Sequence, residues 1–294
     1  MKVYPDCIVC NQRQALDAAR RVTGDESVVF QVVRAVAQAM LDFPFDKTPS
    51  ESTAIAHRLV REITGAADPY REDKMQHNAI AVELYPTLKA AVEQAPDPLW
   101  MAVKVAAAAN LIDLVVYNSL GDIQADIRNA LTRDFAINDY GAFARDVAGA
   151  KNILFIGDNA GEVGFDRILV ETLGPARVTY VVRERPVVND ATYEDAAAVG
   201  LDRVTRVITT GDDSVGLVFE RCSAEFMQAY GAADLIIGKG QANYESLSGV
   251  NRPVYFLLQA KCVAVARDLG VAQKSLVLKR GKDDTTRKAE HEYT

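Results

Sequence analysis

Lys151-Asn152-Ile153-Leu154-Phe155-Ile156-Gly157-Asp158-Asn159-Ala160-Gly161-Glu162-Val163-Gly164-Phe165-Asp166-Arg167-Ile168-Leu169-Val170-Glu171-Thr172-Leu173 reads as strand, loop and helix. Ile153, Leu154, Phe155 and Ile156 form a short apolar run of the kind buried on both faces of a parallel sheet, and Gly157 ends it. Phe165, Ile168, Leu169 and Leu173 then recur at helical spacing, so the chain turns between Gly157 and Gly164 and returns as a helix. The turn carries Asp158, Asn159 and Glu162 at the carboxyl end of the strand, where open parallel sheets bind ligands.

Two readings of that loop stand side by side. Asp and Asn accept helix amide hydrogen bonds, and an acidic residue in the first turn suits the dipole, so the loop is a helix cap. The same oxygens suit a hard cation such as Mg²⁺ or Mn²⁺, and Gly161 lets the backbone approach a ligand closely.

Downstream the pattern repeats. Residues 178–182, 204–208, 235–237, 254–258 and 275–278 read as strands separated by helical segments, which indicates βαβ units. The expected fold is α/β: a mostly parallel, doubly wound (Rossmann-like) sheet in the C-terminal half, preceded by an all-helical domain. Asp158-Asn159, Asp190, Asp212-Asp213 and Lys239-Gly240-Gln241 all follow strands and should surface along one rim. Carboxylate and amide oxygens beside a lysine flanked by glycines describe a divalent metal next to an anion site, the charge arrangement that phosphoryl transfer needs. Lys239 also reads as a plain surface lysine. No Gly-x-Gly-x-x-Gly follows the first strand, and Gly-Lys-Ser/Thr and Gly-x-Ser-x-Gly are absent, which counts against a dinucleotide site, a P-loop and a serine-hydrolase elbow.

Upstream, residues 12–138 read as helical almost throughout, with Pro44, Pro49, Pro69, Pro86, Pro96 and Pro98 dividing the later part into short helices. Lys74 and Asn78 share one helix face, either as solvated polar groups or as groups turned to a site. Asn110 and Asp113 interrupt an Ala- and Val-rich helix over 99–120, either knitting the core or looking into a polar cleft. A composition shift at Asp139-Tyr140-Gly141 sets the expected division: a helical domain over 1–140, an α/β metal-binding domain over 141–279 and a polar tail over 280–294.

Lys plus Arg number 33 against 40 Asp plus Glu, a formal net charge of -7, and no basic run precedes the last residues. Nucleic acid and anionic membrane are therefore not expected partners. No apolar stretch approaches the roughly 20 residues of a spanning helix, and residues 1–10 lack a signal-like apolar core, so the expected location is cytoplasmic. Cys7 and Cys10 form a Cys-x-x-Cys, with Cys222 and Cys262 far away, and His57, His77 and His291 lack zinc spacing; reduced, buried thiols are expected.

Gly157-Asp158-Asn159-Ala160-Gly161-Glu162, Val188-Asn189-Asp190-Ala191-Thr192 and Gly238-Lys239-Gly240-Gln241-Ala242-Asn243-Tyr244-Glu245 resemble the signature segments of the damage-control phosphatase family, also called acidic-residue-methyltransferase-like and long catalogued as a domain of unknown function. The likeness runs over nearly the whole chain. Cys7-Ile8-Val9-Cys10, Asp68-Pro69-Tyr70 with Asn78, Ala109-Asn110-Leu111-Ile112-Asp113 and Lys261-Cys262-Val263-Ala264-Val265-Ala266 are similar to further segments of its stand-alone microbial branch. Ala109 stands where that branch is expected to carry glycine, and His77 where a small polar residue is expected.

The resemblance implies a metal-dependent phosphatase acting on small phosphometabolites such as sugar phosphates, nucleotides or damaged phosphorylated cofactors. It carries the metal ligands onto Asp158, Asn159 and Asp190 and the phosphate-contacting lysine onto Lys239, and it places a helical domain against the α/β domain so that Asn78 and Asn110 face the substrate. The cation is then Mg²⁺ or Mn²⁺, with Co²⁺ or Ni²⁺ as substitutes. In this expectation Gly161 and the Gly240 and Gln241 amides line the phosphate, and Glu162 or a second carboxylate orients water. A methyl-donor-dependent carboxyl methyltransferase and a metal-gated metabolite-binding protein without turnover are the competing readings; no Gly-rich loop fits the first.

Overall fold

The computed structural model describes residues 1–109 and 127–282. Three helices, α1 (Pro5–Val22), α2 (Glu26–Leu41) and α3 (Pro49–Thr64), pack around Ala15, Ala18, Ala19, Val29, Val32, Val36, Ala56 and Val60. The alanine face of α1 lets its neighbours approach closely. Local chemistry sets the helix ends: Asp25 accepts from the Ser27 amide at the start of α2, and Thr48 and Glu51 close a capping box on α3, with Pro49 at its first position.

Helices α4 (Arg71–Glu93) and α5 (Pro98–Ala108) do not join that trio. Leu84, Leu88, Val92, Val103 and Ala106 belong to the same core as Ile153, Phe155, Tyr180 and Leu235, so α4 and α5 form a layer directly on the sheet. Pro86 does not divide α4 as expected but lies inside it. Pro86 and Val82, one turn earlier, are both exposed, so the carbonyl that loses its helical partner faces solvent.

Seven strands form one sheet in the order β1-β7-β6-β5-β2-β3-β4. They are β1 (Phe135–Asn138), β2 (Ile153–Ile156), β3 (Val178–Val182), β4 (Arg206–Thr209), β5 (Leu235–Lys239), β6 (Val254–Gln259) and β7 (Leu276–Arg280). All neighbours pair in parallel except β6 with β7. Side chains of β2 alternate between two cores, Ile153 and Phe155 into one, Leu154 and Ile156 into the other, as a doubly wound sheet requires. After β2 the chain winds outward through β3 and β4, then returns to the other side of β2 as β5, so the switch in strand order lies between β2 and β5.

Two elements differ from the sequence reading. Phe135–Asn138 is a strand, not helix; four residues at a sheet edge, only half of them facing inward, are too few for their periodicity to stand out. Arg280 belongs to β7, not to the polar tail: its amide donates to Asp139 at 2.7 Å and its guanidinium pairs with Asp146 at 3.1 Å.

Candidate metal centre and cavity

Where β2 and β3 end, their crossover loops are joined backbone to backbone. The Ala191 amide donates to the Asp158 carbonyl at 2.8 Å and the Ala160 amide to the Asn189 carbonyl at 2.9 Å, while Asn159 and Asp190 form an isolated antiparallel bridge. Side chains of Asp158, Asn159 and Asp190 consequently line one cavity. Val188, just before, holds φ at 48°, a costly conformation for a β-branched residue and one that clusters at functional sites.

The electrostatics are unbalanced. Burial, then Glu162 and Asp190, push the Asp158 carboxyl well above the usual carboxylate range. Burial also raises Asp190, although Arg183 opposes it by donating from Nε to Oδ2 at 2.8 Å. Arg183 is itself 2% exposed; its other nitrogens donate to the Gly216 carbonyl and to Asn243 Oδ1. Asp158 has no ion-pair partner among the described residues, and its carboxylate lies against the backbone of Gly240. That glycine has φ of 74°, and a Cβ there would overlap the carboxylate, so only glycine lets the end of β5 close on the β2 loop.

Glu162 and Lys239 sit behind this wall rather than on it. Lys239 is fully buried, and its Nζ donates to Glu162 Oε2 at 3.0 Å and Asp166 Oδ1 at 2.7 Å. Burial pulls the ammonium pKa down, but Asp166 and Glu162 outweigh it and lift it above its ordinary value. Burial pushes Asp166 up to about 6 in spite of Lys239, and the Tyr180 hydroxyl donates to its other oxygen at 2.8 Å. The second oxygen of Glu162 accepts from Asn159 Nδ2 at 2.9 Å, and Asp158 Oδ2 accepts from the same nitrogen at 3.3 Å. The Asn159 amide nitrogen is thus committed to carboxylates, which leaves its oxygen as the hard donor.

Asn78 and Lys74 match neither expectation: they are buried, and they do not line the cavity. Asn78 Oδ1 accepts from the Gly161 amide at 2.8 Å and its Nδ2 donates to Asp195 Oδ1 at 2.8 Å; Lys74 reaches Asp195 at 3.2 Å and Asp68 at 2.9 Å. Asn78 therefore braces the β2 loop from α4, and Lys74 the helix start at Asp195 beside it. Gly161 has φ of 79°, and a Cβ on it would overlap the Cβ of His77, so α4 presses directly on the loop. Asn110 and Asp113 lie outside the described residues. Asp213 pairs with Arg58 and Arg61, and Asp212 with Ser214, away from the cavity.

The cavity, about 640 Å³, lies between α1 and the rim of the sheet. Cys7, Cys10 and Arg13 come from α1, Gln241 from the first turn of the helix Gly240–Leu247 after β5, and Lys261 and Cys262 from the loop after β6. Oε1 of Gln241 is buried without a partner among the described residues. A larger hollow, about 750 Å³, opens at the amino ends of the strands around Asn152, Arg177 and Arg203, away from the crossover loops.

Among the described residues, no group of three or more His, Cys, Asp or Glu side chains is arranged to hold a metal ion. A site at the rim therefore needs the Asn159 oxygen alongside the carboxylates of Asp158 and Asp190. That all-oxygen set suits Mg²⁺ or Mn²⁺ rather than a soft ion.

Sequence reasoning missed Arg183, Asp166, Asp195, Asn243 and Lys261. Two carried a signal: Asp166 lies one turn beyond Glu162 on the same helix face, and Thr192-x-x-Asp195 has capping-box spacing, which the structure realises. Arg183 and Asn243 owe their importance to partners distant in sequence, which spacing does not reveal.

The chain matches the family described as "Damage-control phosphatase ARMT1-like domain" over residues 3–277. It is 33% identical over 287 residues to a protein of Pyrococcus horikoshii named damage-control phosphatase, covering 96% of this chain and 99% of that one. A protein of Archaeoglobus fulgidus with the same name is 34% identical over 288 residues, covering 95% and 99%. The crystal structure of a DUF89 family protein from Pyrococcus horikoshii superposes with a TM-score of 0.90 at 33% identity, over 96% of this chain and all of that one. With a family match over nearly its whole length and full-length relatives at one-third identity, the chain belongs to the ARMT1-like damage-control phosphatase family.

Proposed function

We propose that this chain hydrolyses phosphomonoesters of small, damaged metabolites, using a divalent cation held by Asp158, Asn159 and Asp190. Its relatives' names support phosphatase chemistry. The observation that carries the metal is the charge imbalance beneath the rim: among the described residues, the buried carboxylates Asp158, Glu162, Asp166 and Asp190 are met by two buried ion-pair partners, Lys239 and Arg183, and Asp158 by neither. Two uncompensated negative charges are costly at that depth, and one divalent ion would cancel them.

When bound, the cation supplies charge neutralisation at the phosphoryl oxygens and Lewis acidity toward the reacting group. Arg183 holds the Asp190 carboxylate in one orientation, and Glu162 turns the Asn159 amide so that its oxygen is available. Both oxygens of Glu162 are engaged, so in this proposal it orients Asn159 rather than a water. Gln241 Oε1, buried and without a partner among the described residues, is the acceptor suited to a water or a substrate hydroxyl at the cavity wall.

Calorimetric titration of Mn²⁺ into Asp158→Asn and Asp190→Asn, with aryl-phosphate hydrolysis in parallel, tests the proposal. Both variants should lose measurable Mn²⁺ binding and at least about 100-fold in rate, the scale on which one charge-stabilising group acts. Retention of binding and turnover by both would remove it. Mn²⁺ binding by the parent without hydrolysis of any phosphomonoester would favour the metabolite sensor instead.

A further inference from the structure

A second hollow, about 460 Å³, opens where the chain leaves β3 and β4. Arg58, Arg61 and Glu62 of α3 line one part of it, the turn at residues 65–67 lies next to them, and Arg185, Pro186 and Asp213 complete the wall. No described residue lines both this hollow and the metal cavity. The β3 crossover serves both: Arg183 holds Asp190, and Arg185, two residues on, lines the hollow.

Three guanidiniums thus gather around the Asp213 carboxylate. Arg61 and Arg58 both reach it, the latter at 3.5 Å. Arg185 is exposed and has no ion-pair partner among the described residues. Burial pulls the Arg61 pKa down; Asp213 opposes that pull, while Arg58 and Arg185 add to it. With Glu62 as the other acid on the wall, the hollow keeps an excess of positive charge in a chain whose net charge is -7.

Two simpler roles account for part of this set. Arg58 and Arg61 lie in the last two turns of α3, where cations offset the helix dipole, and through Asp213 they tie α3 to the exit of β4. Neither role needs Arg185, which comes from a different crossover and brings a third like charge into the group. A ligand with several anionic oxygens would give all three guanidiniums a common partner.

We propose that this hollow is a second anion site, separate from the metal cavity, and that it binds a diphosphate group. The planar fork of each guanidinium matches phosphoryl oxygens in pairs, and three such forks suit a diphosphate better than a single phosphoryl group. Asp213 holds Arg58 and Arg61 in place on α3, and Arg185 meets the ligand from the β3 crossover. The site stands apart from the phosphatase reading, since it needs neither bound metal nor turnover.

The experiment is calorimetric titration of pyrophosphate into the chain kept free of divalent ions by a chelator. The variants are Arg185→Gln, Arg58→Gln, Arg13→Gln on the wall of the metal cavity, and the remote exposed control Lys151→Gln. Arg185→Gln and Arg58→Gln should each weaken binding about tenfold, the loss of one charge-assisted contact, and the other two should match the parent. Arg185 engages no ion pair among the described residues, so its replacement leaves the fold's own ion pairs intact. No binding by the parent, unchanged affinity in Arg185→Gln, or an equal loss in Lys151→Gln would overturn the proposal. A loss confined to Arg13→Gln would also overturn it, by putting the anion in the metal cavity. Repeating the titration with ADP separates the sources of the diphosphate: tighter binding than pyrophosphate assigns the site to a nucleotide, weaker binding to the free anion.

Discussion

Lys239 keeps its charge at zero exposure because Glu162 and Asp166 approach it together. Removing one partner of a buried charged group leaves the others desolvated and unpaired, which costs about 3–5 kcal/mol, more than deleting the pair outright. Lys239→Met should therefore lower unfolding free energy by that amount in urea denaturation, and adding Asp166→Asn to it should recover part of the loss. Equal stability of parent and Lys239→Met would show that the ammonium carries no structural weight. The Gly240 backbone, next in sequence, carries the same cluster to the rim by abutting the Asp158 carboxylate.

At the scale of elements, α3 and the helix Gly240–Leu247 meet at the Ser50 hydroxyl, which donates to Glu245 Oε2 at 2.9 Å. Glu245 is pushed up to about 7, by burial, from 4.5 in the unfolded chain. Its stabilising contribution is thus complete below 4.5 and lost as pH rises through 7. His57, two turns further along α3, is pulled down to about 4 by burial and then by Arg61, from 6.5 unfolded. Its contribution is complete above 6.5 and lost as pH falls toward 4. The two oppose each other in overlapping windows, so the parent's pH dependence is damped. Glu245→Gln should expose the His57 limb, with stability rising on the order of 3 kcal/mol between pH 4 and 6.5, and His57→Gln should expose a falling limb of similar size between 4.5 and 7. Urea midpoints across that range check it; parallel curves for all three proteins would contradict it. Local and distant contacts differ in what sequence could reveal. Thr48-Pro49-Ser50-Glu51 is a local capping signal, and the apolar run Ile153 to Ile156 is a local strand signal, so the alternation of strands and helices was readable. Asp158, Asn159 and Asp190 were readable as rim residues because strand ends define the rim. The burial of Lys239, the brace from Asn78 to Gly161 and the place of α4 and α5 on the sheet depend on contacts between residues far apart, which periodicity does not encode.

On the scale of the whole molecule, α1 to α3 roof the cavity across a seam that is largely polar, whereas α4 and α5 are packed into the sheet's own core. The β2 and β3 loops below that roof hold carboxylates whose burial opposes folding, a cost that the proposed cation would offset. An ion that binds the folded chain and not the unfolded one stabilises it by mass action, about 2.7 kcal/mol at a hundred times its Kd. For a chain of this size that is a rise in melting temperature of about 4–5 °C. Saturating Mn²⁺ should produce that rise in the parent, and a chelator should reverse it. Asp158→Asn, with one carboxylate fewer to desolvate, should melt no lower than the ion-free parent and should not respond to Mn²⁺. A parent whose melting temperature ignores the ion, or an Asp158→Asn protein that gains as much from it, would place the cation somewhere other than between these two crossovers.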